Sequence, residues 1–117
     1  MRLKIVRIAD PGVPNFERIH LAVLGDVNLV YYMLSVGHKF PNGNLLSGTR
    51  AAFWFPNSFV KAGDNVILYT GSGNPSNTVR PDALTDHFVF WGMPNTIFNV
   101  PGSCAVLVEI SAWESGR

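Results

Sequence analysis

The residues of this chain that could do acid–base or metal chemistry are few and dispersed along it. No two of the three histidines, His20, His38 and His87, lie at the close spacings typical of zinc sites, so each is interpreted as a separate structural or surface histidine. The closest grouping is Asp82, Asp86 and His87, in which two carboxylates beside an imidazole could bind a divalent metal or share a proton. A metal-assisted hydrolase or small-ligand-binding protein using these three residues is therefore the alternative functional hypothesis. The competing interpretation is that Asp82 caps a turn and Asp86 is solvated.

Two further features match catalytic elements incompletely. Cys104 is in phase with Val106 and Val108 in an alternating segment, a setting typical of a buried, unreactive cysteine. The Gly71–Gly73 segment is not followed by the Gly-Lys-Ser/Thr ending and helix start of a phosphate-binding loop. The sequence therefore predicts no catalytic residue, no resident metal and no cofactor.

Large aromatic side chains near the C-terminus are the candidate interaction residues. Trp91 and Met93 lie in a Gly- and Pro-containing loop, Phe98 follows closely, and Trp113 comes after the last apolar segment. Exposed aromatic residues mark contact surfaces more often than catalytic ones. The alternative is that Trp91 and Phe98 simply cover the open end of the core.

Composition narrows the choice of partner. The chain has 117 residues, enough for one domain spanning 1–117, and 47% of them are hydrophobic. Charged residues make up 15% of the chain, below the roughly 25% usual for soluble domains, which indicates either an unusually apolar exterior or a buried subunit interface and so favours self-association. The formal net charge of +1 provides little attraction for phosphate backbones, so nucleic-acid binding is the third hypothesis. Its candidate basic residues are Arg2, Lys4, Arg7 and Arg18.

The cysteine content and the N-terminal segment indicate a cytoplasmic location. Cys104 is the sole cysteine and has no partner for an internal disulfide, as is usual in a reducing compartment. The segment Met1–Ile8 interleaves charged with apolar residues and lacks the continuous apolar stretch of a signal peptide. No apolar run approaches the ~20 residues needed to span a bilayer, so no membrane association is expected.

Short alternating or β-branched segments separated by turn residues predict strands throughout. The predicted strands are Leu3–Ile8, Glu17–Val23, Leu29–Leu34, Ala51–Phe55, Asn65–Thr70, His87–Trp91 and Ser103–Ile110. With no helical pattern between them, they indicate an all-β fold with seven to eight strands in two antiparallel sheets packed face to face.

The connections also carry local predictions. Pro41–Asn44 is a strong turn signal within the longer irregular stretch Gly37–Gly48, and is interpreted as a hairpin tip or an exposed loop. Gly71–Asn77 is polar and rich in Gly and Pro, which predicts a mobile surface loop. Pro81–Asp86 could form one helical turn, because proline is tolerated near a helix start and aspartate is favoured there.

The order of these motifs resembles the lamin-tail domain family, whose members are small immunoglobulin-like sandwiches. Glu17–Leu21 resembles the early Glu-aromatic-Ile-Glu-Leu strand of the family, and Asn28–Leu34 resembles its Leu-x-Gly-Trp-x-Leu segment. Phe53–Pro56 and Ala62–Leu68 resemble the Phe-x-Phe-Pro and Pro-Gly-x-x-Leu-x-Leu hairpin, and Phe98–Leu107 resembles the closing run. Arg18, Phe98 and Ser103 stand where the family pattern has an aromatic residue, tryptophan and aspartate.

The resemblance implies an immunoglobulin-like sandwich that acts in binding and scaffolding without a shared active site. Together with the low charge and the C-terminal aromatics, it leads to the main functional hypothesis. The protein is expected to be a non-enzymatic binding or assembly module that meets a protein partner, or a second copy of itself as a homodimer, through aromatic loops and an edge strand.

Overall fold

The structure is a computed structural model that describes residues 1–46 and 51–117. Within these ranges the chain is all-β, with one short 3-10 turn at Leu29–Tyr31. The strands are β1 (Leu3–Ala9), β2 (Arg18–Val23), β3 (Val27–Asn28), β4 (Tyr32–Lys39), β5 (Leu45–Leu46), β6 (Ala52–Trp54), β7 (Phe59–Val60), β8 (Asn65–Tyr69), β9 (Ser76–Val79), β10 (Thr85–Phe90) and β11 (Ser103–Glu109).

The strands form two main sheets and one small one. The first sheet has the order β1-β2-β8-β10-β9. In the second sheet β4 pairs with β11 on one side and with the short strands β5 and β6 on the other, while β3 and β7 form a separate two-stranded sheet. The all-β prediction is confirmed in this coarser form.

Buried side chains from both main sheets meet in one core, so the two sheets pack as a sandwich. In β2 the predicted alternation is confirmed, because Ile19, Leu21 and Val23 are buried whereas Arg18 and His20 are only partly covered. The remaining buried core residues are Leu3, Leu29, Tyr32, Leu34, Phe55, Val60, Val66, Leu68, Val89 and Phe98.

The predicted count of seven to eight strands differs from the eleven segments observed in the described ranges. Four of these segments, β3, β5, β6 and β7, have only two or three residues. A period of two cannot be recognised over so few residues, which explains why sequence patterning did not separate them.

One pair of strands departs from the predicted antiparallel arrangement. Strand β10 runs parallel to β8, with Asp86 opposite Asn65 and Phe90 opposite Tyr69. The chain leaves β8, forms edge strand β9 and then returns through a hairpin that places β10 between them. The predicted mobile loop Gly71–Asn77 therefore ends inside a strand.

Two other local predictions are tested by the connections. Gly43 N donates to Phe40 O and Phe40 N to Asn44 O, so Pro41–Asn44 is indeed the tip of the β4–β5 hairpin. The last two residues of the predicted loop Gly37–Gly48 lie outside the described residues. The helical turn predicted at Pro81–Asp86 is wrong, because Pro81–Leu84 forms the tight turn of the β9–β10 hairpin and Thr85 and Asp86 already belong to β10.

Candidate functional site

The structure does not bring Asp82, Asp86 and His87 together as a site. Asp82 is exposed and accepts the backbone N–H of Leu84, as the capping interpretation expected. Asp86 accepts the side-chain amide of Asn65 at 3.0 Å on the partly exposed face of β10. His87 is buried, because successive residues of a strand point to opposite faces. Within the described residues, no cluster of three His, Cys, Asp or Glu side chains has the arrangement of a metal site.

The partner of His87 is Asp64, a residue that the sequence did not single out. His87 Nε2 lies 2.9 Å from Asp64 Oδ2, and the same carboxylate accepts the backbone N–H groups of Lys61 and Thr85. Burial acts to raise the pKa of the Asp64 carboxyl, but the hydrogen bonds from Lys61, His87 and Thr85 outweigh it and hold the pKa below its ordinary value. This group joins the start of β8 to β10 and is structural.

The predicted aromatic interaction residues are divided between the core and the surface. Phe98 is buried in the core, and Trp91 is half-buried against it, 5.9 Å from Phe53 between ring centroids. Phe98 therefore covers the end of the sandwich, as the alternative interpretation expected, and is not an exposed contact residue. Trp91 packs against the same core but keeps part of its surface exposed. Met93 is half-buried and lines a surface cleft beside this end.

Glu17 explains why Phe98 turns inward. Its carboxylate is almost fully buried and accepts four hydrogen bonds, from the backbone N–H groups of Gly12, Ile97 and Phe98 and from the hydroxyl of Thr70, at 2.7 to 3.1 Å. A buried carboxylate is tolerated when it is satisfied in this way. In the sequence, Glu17 directly precedes an alternating apolar strand. A carboxylate at such a position is ordinarily expected to be solvated, so nothing in the sequence indicated that Glu17 is buried.

Trp113 belongs to an exposed aromatic cluster with Tyr31 and Trp54. The Trp113 ring centroid lies 5.5 Å from that of Trp54 and 6.1 Å from that of Tyr31, and the three residues are 45% to 55% exposed. The Trp54 indole N–H donates to Val30 O at 2.7 Å, which holds its ring in place. We call Tyr31, Trp54 and Trp113 the aromatic cluster.

The aromatic cluster lies at one end of a largely apolar sheet face, and by strand alternation the charged residue of β4 on this face is Lys39, at its opposite end. Residues directly opposite each other on paired strands project to the same side of a sheet. Met33 is opposite both Trp54 and Val108, and Ser35 is opposite both Ala52 and Val106. We call this surface the outer apolar face, formed by Met33, Ser35, Gly37, Ala52, Trp54, Cys104, Val106 and Val108.

Cys104 belongs to this outer apolar face and is half-buried, so its prediction as a residue of the buried core is wrong. It is opposite Gly37 in β4. A Cβ at Gly37 would approach Val106 Cγ2 to 2.9 Å, so glycine lets the neighbouring side chains close over this strand. The thiol is one part of an apolar surface.

Strand β11 is the edge of the second sheet. Among the described residues it pairs with β4 alone, which leaves the backbone groups along its other side without a strand partner. A cleft of about 690 Å³ separates this edge from β1, and it is lined mostly by apolar residues of the two strands. Tyr32 closes one end of the edge, because its hydroxyl accepts Arg2 N–H and donates to Glu109. Burial raises the pKa of Tyr32, so this hydroxyl keeps its proton.

The basic residues of the third hypothesis are partly engaged in bonds within the chain. Arg18 forms an ion pair of 2.7 Å with Asp10 and lies over the Tyr69 ring, and Arg2 donates to Asp26 O. Such bonds compete with phosphate contacts, so the geometry adds no support to nucleic-acid binding.

No protein-family model, curated protein or solved structure matches this chain. The described residues also contain no helix with the length and apolar character needed to cross a membrane. The candidate site therefore stands on its own geometry. It consists of the β11 edge, the outer apolar face and the aromatic cluster.

Proposed function

We propose that this protein is a non-enzymatic assembly module that associates with a second copy of itself through β11 and the outer apolar face. The observation that carries the proposal is the free side of β11, which has no strand partner among residues 1–46 and 51–117. Its sequence from Ser103 to Val108 contains no charge and no proline. A partly exposed, uncharged edge of this length that lacks a strand partner is a template for another strand.

Both edge strands of the first sheet, β1 and β9, are protected against such pairing. The pairing of strand β1 with β2 has a register shift between Ile5 and Arg7, and the charged residue Lys4 precedes this shift in β1. Strand β9 is short and fully exposed, and lies between Pro75 and Arg80. Bulges, charges and prolines are the usual means of blocking edge-to-edge association. The contrast favours β11 as the edge that is used.

The length of β11 favours an identical copy as the partner, because Val106 is the central residue of Ser103–Glu109 and two antiparallel copies can pair over the whole strand. Antiparallel pairing of two β11 strands about Val106 places Glu109 of one copy beside Ser103 of the other. The two-fold symmetry then repeats every contact at both ends of the paired strands. The outer apolar faces then form one continuous surface.

Sedimentation velocity over a dilution series tests the proposal. The expected result is a dimer at high concentration that dissociates on dilution, and a Val106→Lys variant that stays monomeric with an unchanged circular dichroism spectrum. Thr78→Lys on the exposed edge strand β9 is the matched control and should dimerise as the parent does. A parent that is monomeric at every concentration, or a Val106→Lys dimer, would refute the proposal.

A cysteine placed on the expected two-fold axis tests the pairing itself. In a Cys104→Ser background, Val106→Cys should form a disulfide-linked dimer under mild oxidation, because directly opposite strand residues lie within disulfide distance. Thr78→Cys in the same background should remain uncrosslinked.

We further propose that the sandwich is immunoglobulin-like and related to the lamin-tail domains. Support comes from where the resembling motifs lie: Glu17–Leu21 leads into β2, Phe53–Pro56 overlaps the end of β6, and Ala62–Leu68 leads into β8. An experimental structure superposed on a lamin-tail domain tests this relationship. The expected result is the same strand order in both sheets, and a different order would reject the relationship.

A further inference from the structure

A second surface, separate from the β11 edge, is a polar cleft at the end of the sandwich. Its volume is about 500 Å³, within the usual range for small-molecule sites. Three loops provide its walls, Pro14–Asn15, Thr70–Ser72 and Met93–Asn99. Most of its lining residues are polar, in contrast to those of the cleft beside β11.

The three loops are held together by one buried group. The Glu17 carboxylate accepts the N–H of Gly12 from the first loop region, the hydroxyl of Thr70 from the second, and the N–H groups of Ile97 and Phe98 from the third. Charge-assisted hydrogen bonds of this kind are about twice as strong as neutral ones. The cleft is therefore preorganised, which reduces the entropy lost when a ligand binds.

The backbone conformation of the first loop brings it close to the third loop. Asn15 has a φ of 67°, which is uncommon for a residue with a side chain. Gly12 has a φ of 81°, and a Cβ there would meet Asn99 Cβ at 3.1 Å. The first and third loops thus pack closely at Gly12, with asparagine side chains at the cleft surface.

The cleft presents neutral hydrogen-bonding groups with both donors and acceptors. Asn15, Ser72, Asn95, Thr96 and Asn99 line it, and none of their side chains is hydrogen-bonded to another residue within 1–46 and 51–117. None of the described residues that line it is charged. Amides and hydroxyls can therefore bind a ligand that is itself neutral and rich in donors and acceptors.

We propose that this cleft binds a neutral carbohydrate. The hydroxyl groups of a sugar match the amide and hydroxyl side chains, and the apolar face of the ring matches Met93 and the two prolines Pro14 and Pro94. A phosphorylated or carboxylated ligand would lack a basic partner here, and a metal ion would lack carboxylates. An extended peptide would need a free strand edge, whereas the walls of this cleft are loops.

Amide chemical-shift titrations with four neutral oligosaccharides test the proposal: maltotetraose, cellotetraose, xylotetraose and chitotetraose. With at least one of them, the amide resonances of Asn15, Asn95 and Asn99 should shift in a saturable way at concentrations up to about 10 mM. The Asn95→Ala/Asn99→Ala double variant should weaken binding about tenfold or more, the effect of losing one or two hydrogen bonds. Asn77→Ala on β9 is the matched control and should bind as the parent does.

Saturable shifts that the double variant abolishes support the carbohydrate site. The proposal is overturned if none of the four sugars gives saturable shifts, or if shifts map to the outer apolar face or survive in the double variant. Because the Val106→Lys protein keeps this cleft, binding measured in that variant separates the outcome from that of the dimer proposal.

Discussion

The Glu17 carboxylate accepts the backbone N–H of Phe98 at 3.1 Å, joining two residues that are 81 positions apart in the sequence. The same side chain accepts N–H groups from Ile97 and Gly12. One buried charge therefore closes the end of the sandwich and shapes the polar cleft above it.

Replacing Glu17 by Gln should destabilise the protein by about 3 kcal/mol or more, because the amide has one acceptor oxygen where the carboxylate has two, and its NH₂ faces buried N–H donors. Urea unfolding followed by circular dichroism measures the change in free energy. Glu114→Gln in the exposed C-terminal segment is the control and should leave the midpoint unchanged. Equal midpoints for Glu17→Gln and the parent would contradict this assignment.

Acid should destabilise the fold through Asp64. Its folded-state pKa lies below the ordinary value of 3.8, so its contribution to stability is present above about pH 4 and is lost as pH falls through the lowered pKa. Thermal unfolding from pH 6 to pH 2 should show a drop in Tm at the acidic end that Asp64→Asn makes shallower. An identical pH profile for Asp64→Asn would argue against this linkage.

His20 should produce a second pH dependence at higher pH. Partial burial lowers the pKa of His20 below 6.5, with Arg7 and Arg18 adding to the effect and Asp86 opposing it. The unfolded chain then binds the proton more readily, so stability should decrease as pH falls below about 6.5 and level off once the folded-state pKa is passed.

The His20→Gln variant tests this dependence, because it removes the titrating imidazole but keeps a side chain that can accept a hydrogen bond from Arg18, as His20 Nε2 does at 3.1 Å. Its Tm should vary less than that of the parent between pH 7 and pH 5. His38→Gln, in which the other partly exposed histidine is changed, is the control. The interpretation fails if the parent is equally stable at both pH values.

Trp113→Ala should lower the free energy of unfolding by about 0.5–1.5 kcal/mol, since each aromatic pair contributes in this range beyond the area it buries. Trp54 should then become more exposed, because its edge contact with Trp113 is lost. Urea unfolding monitored by circular dichroism gives the stability, and acrylamide quenching of fluorescence gives the exposure. Phe59→Ala removes an aromatic residue that is 80% exposed, and should change neither.

The sequence by itself determined the class of structure and most of the longer strands. Alternation in Arg18–Val23 and Ser103–Glu109 is readable because each residue of a strand faces one side or the other. The hairpin tip at Pro41–Asn44 was readable because its residues favour tight turns. Local chemistry is sufficient for such features.

Tertiary structure decided which strands are neighbours and what each polar side chain meets. Three features depend on residues that are distant in sequence. They are the parallel pairing of β8 and β10, the burial of Phe98 and the contact between Asp64 and His87. A strand's own period does not specify its partner, and a carboxylate followed by an apolar strand does not show whether donors from other loops will surround it. Glu17 is buried because three loops supply those donors together, which is a property of the folded chain.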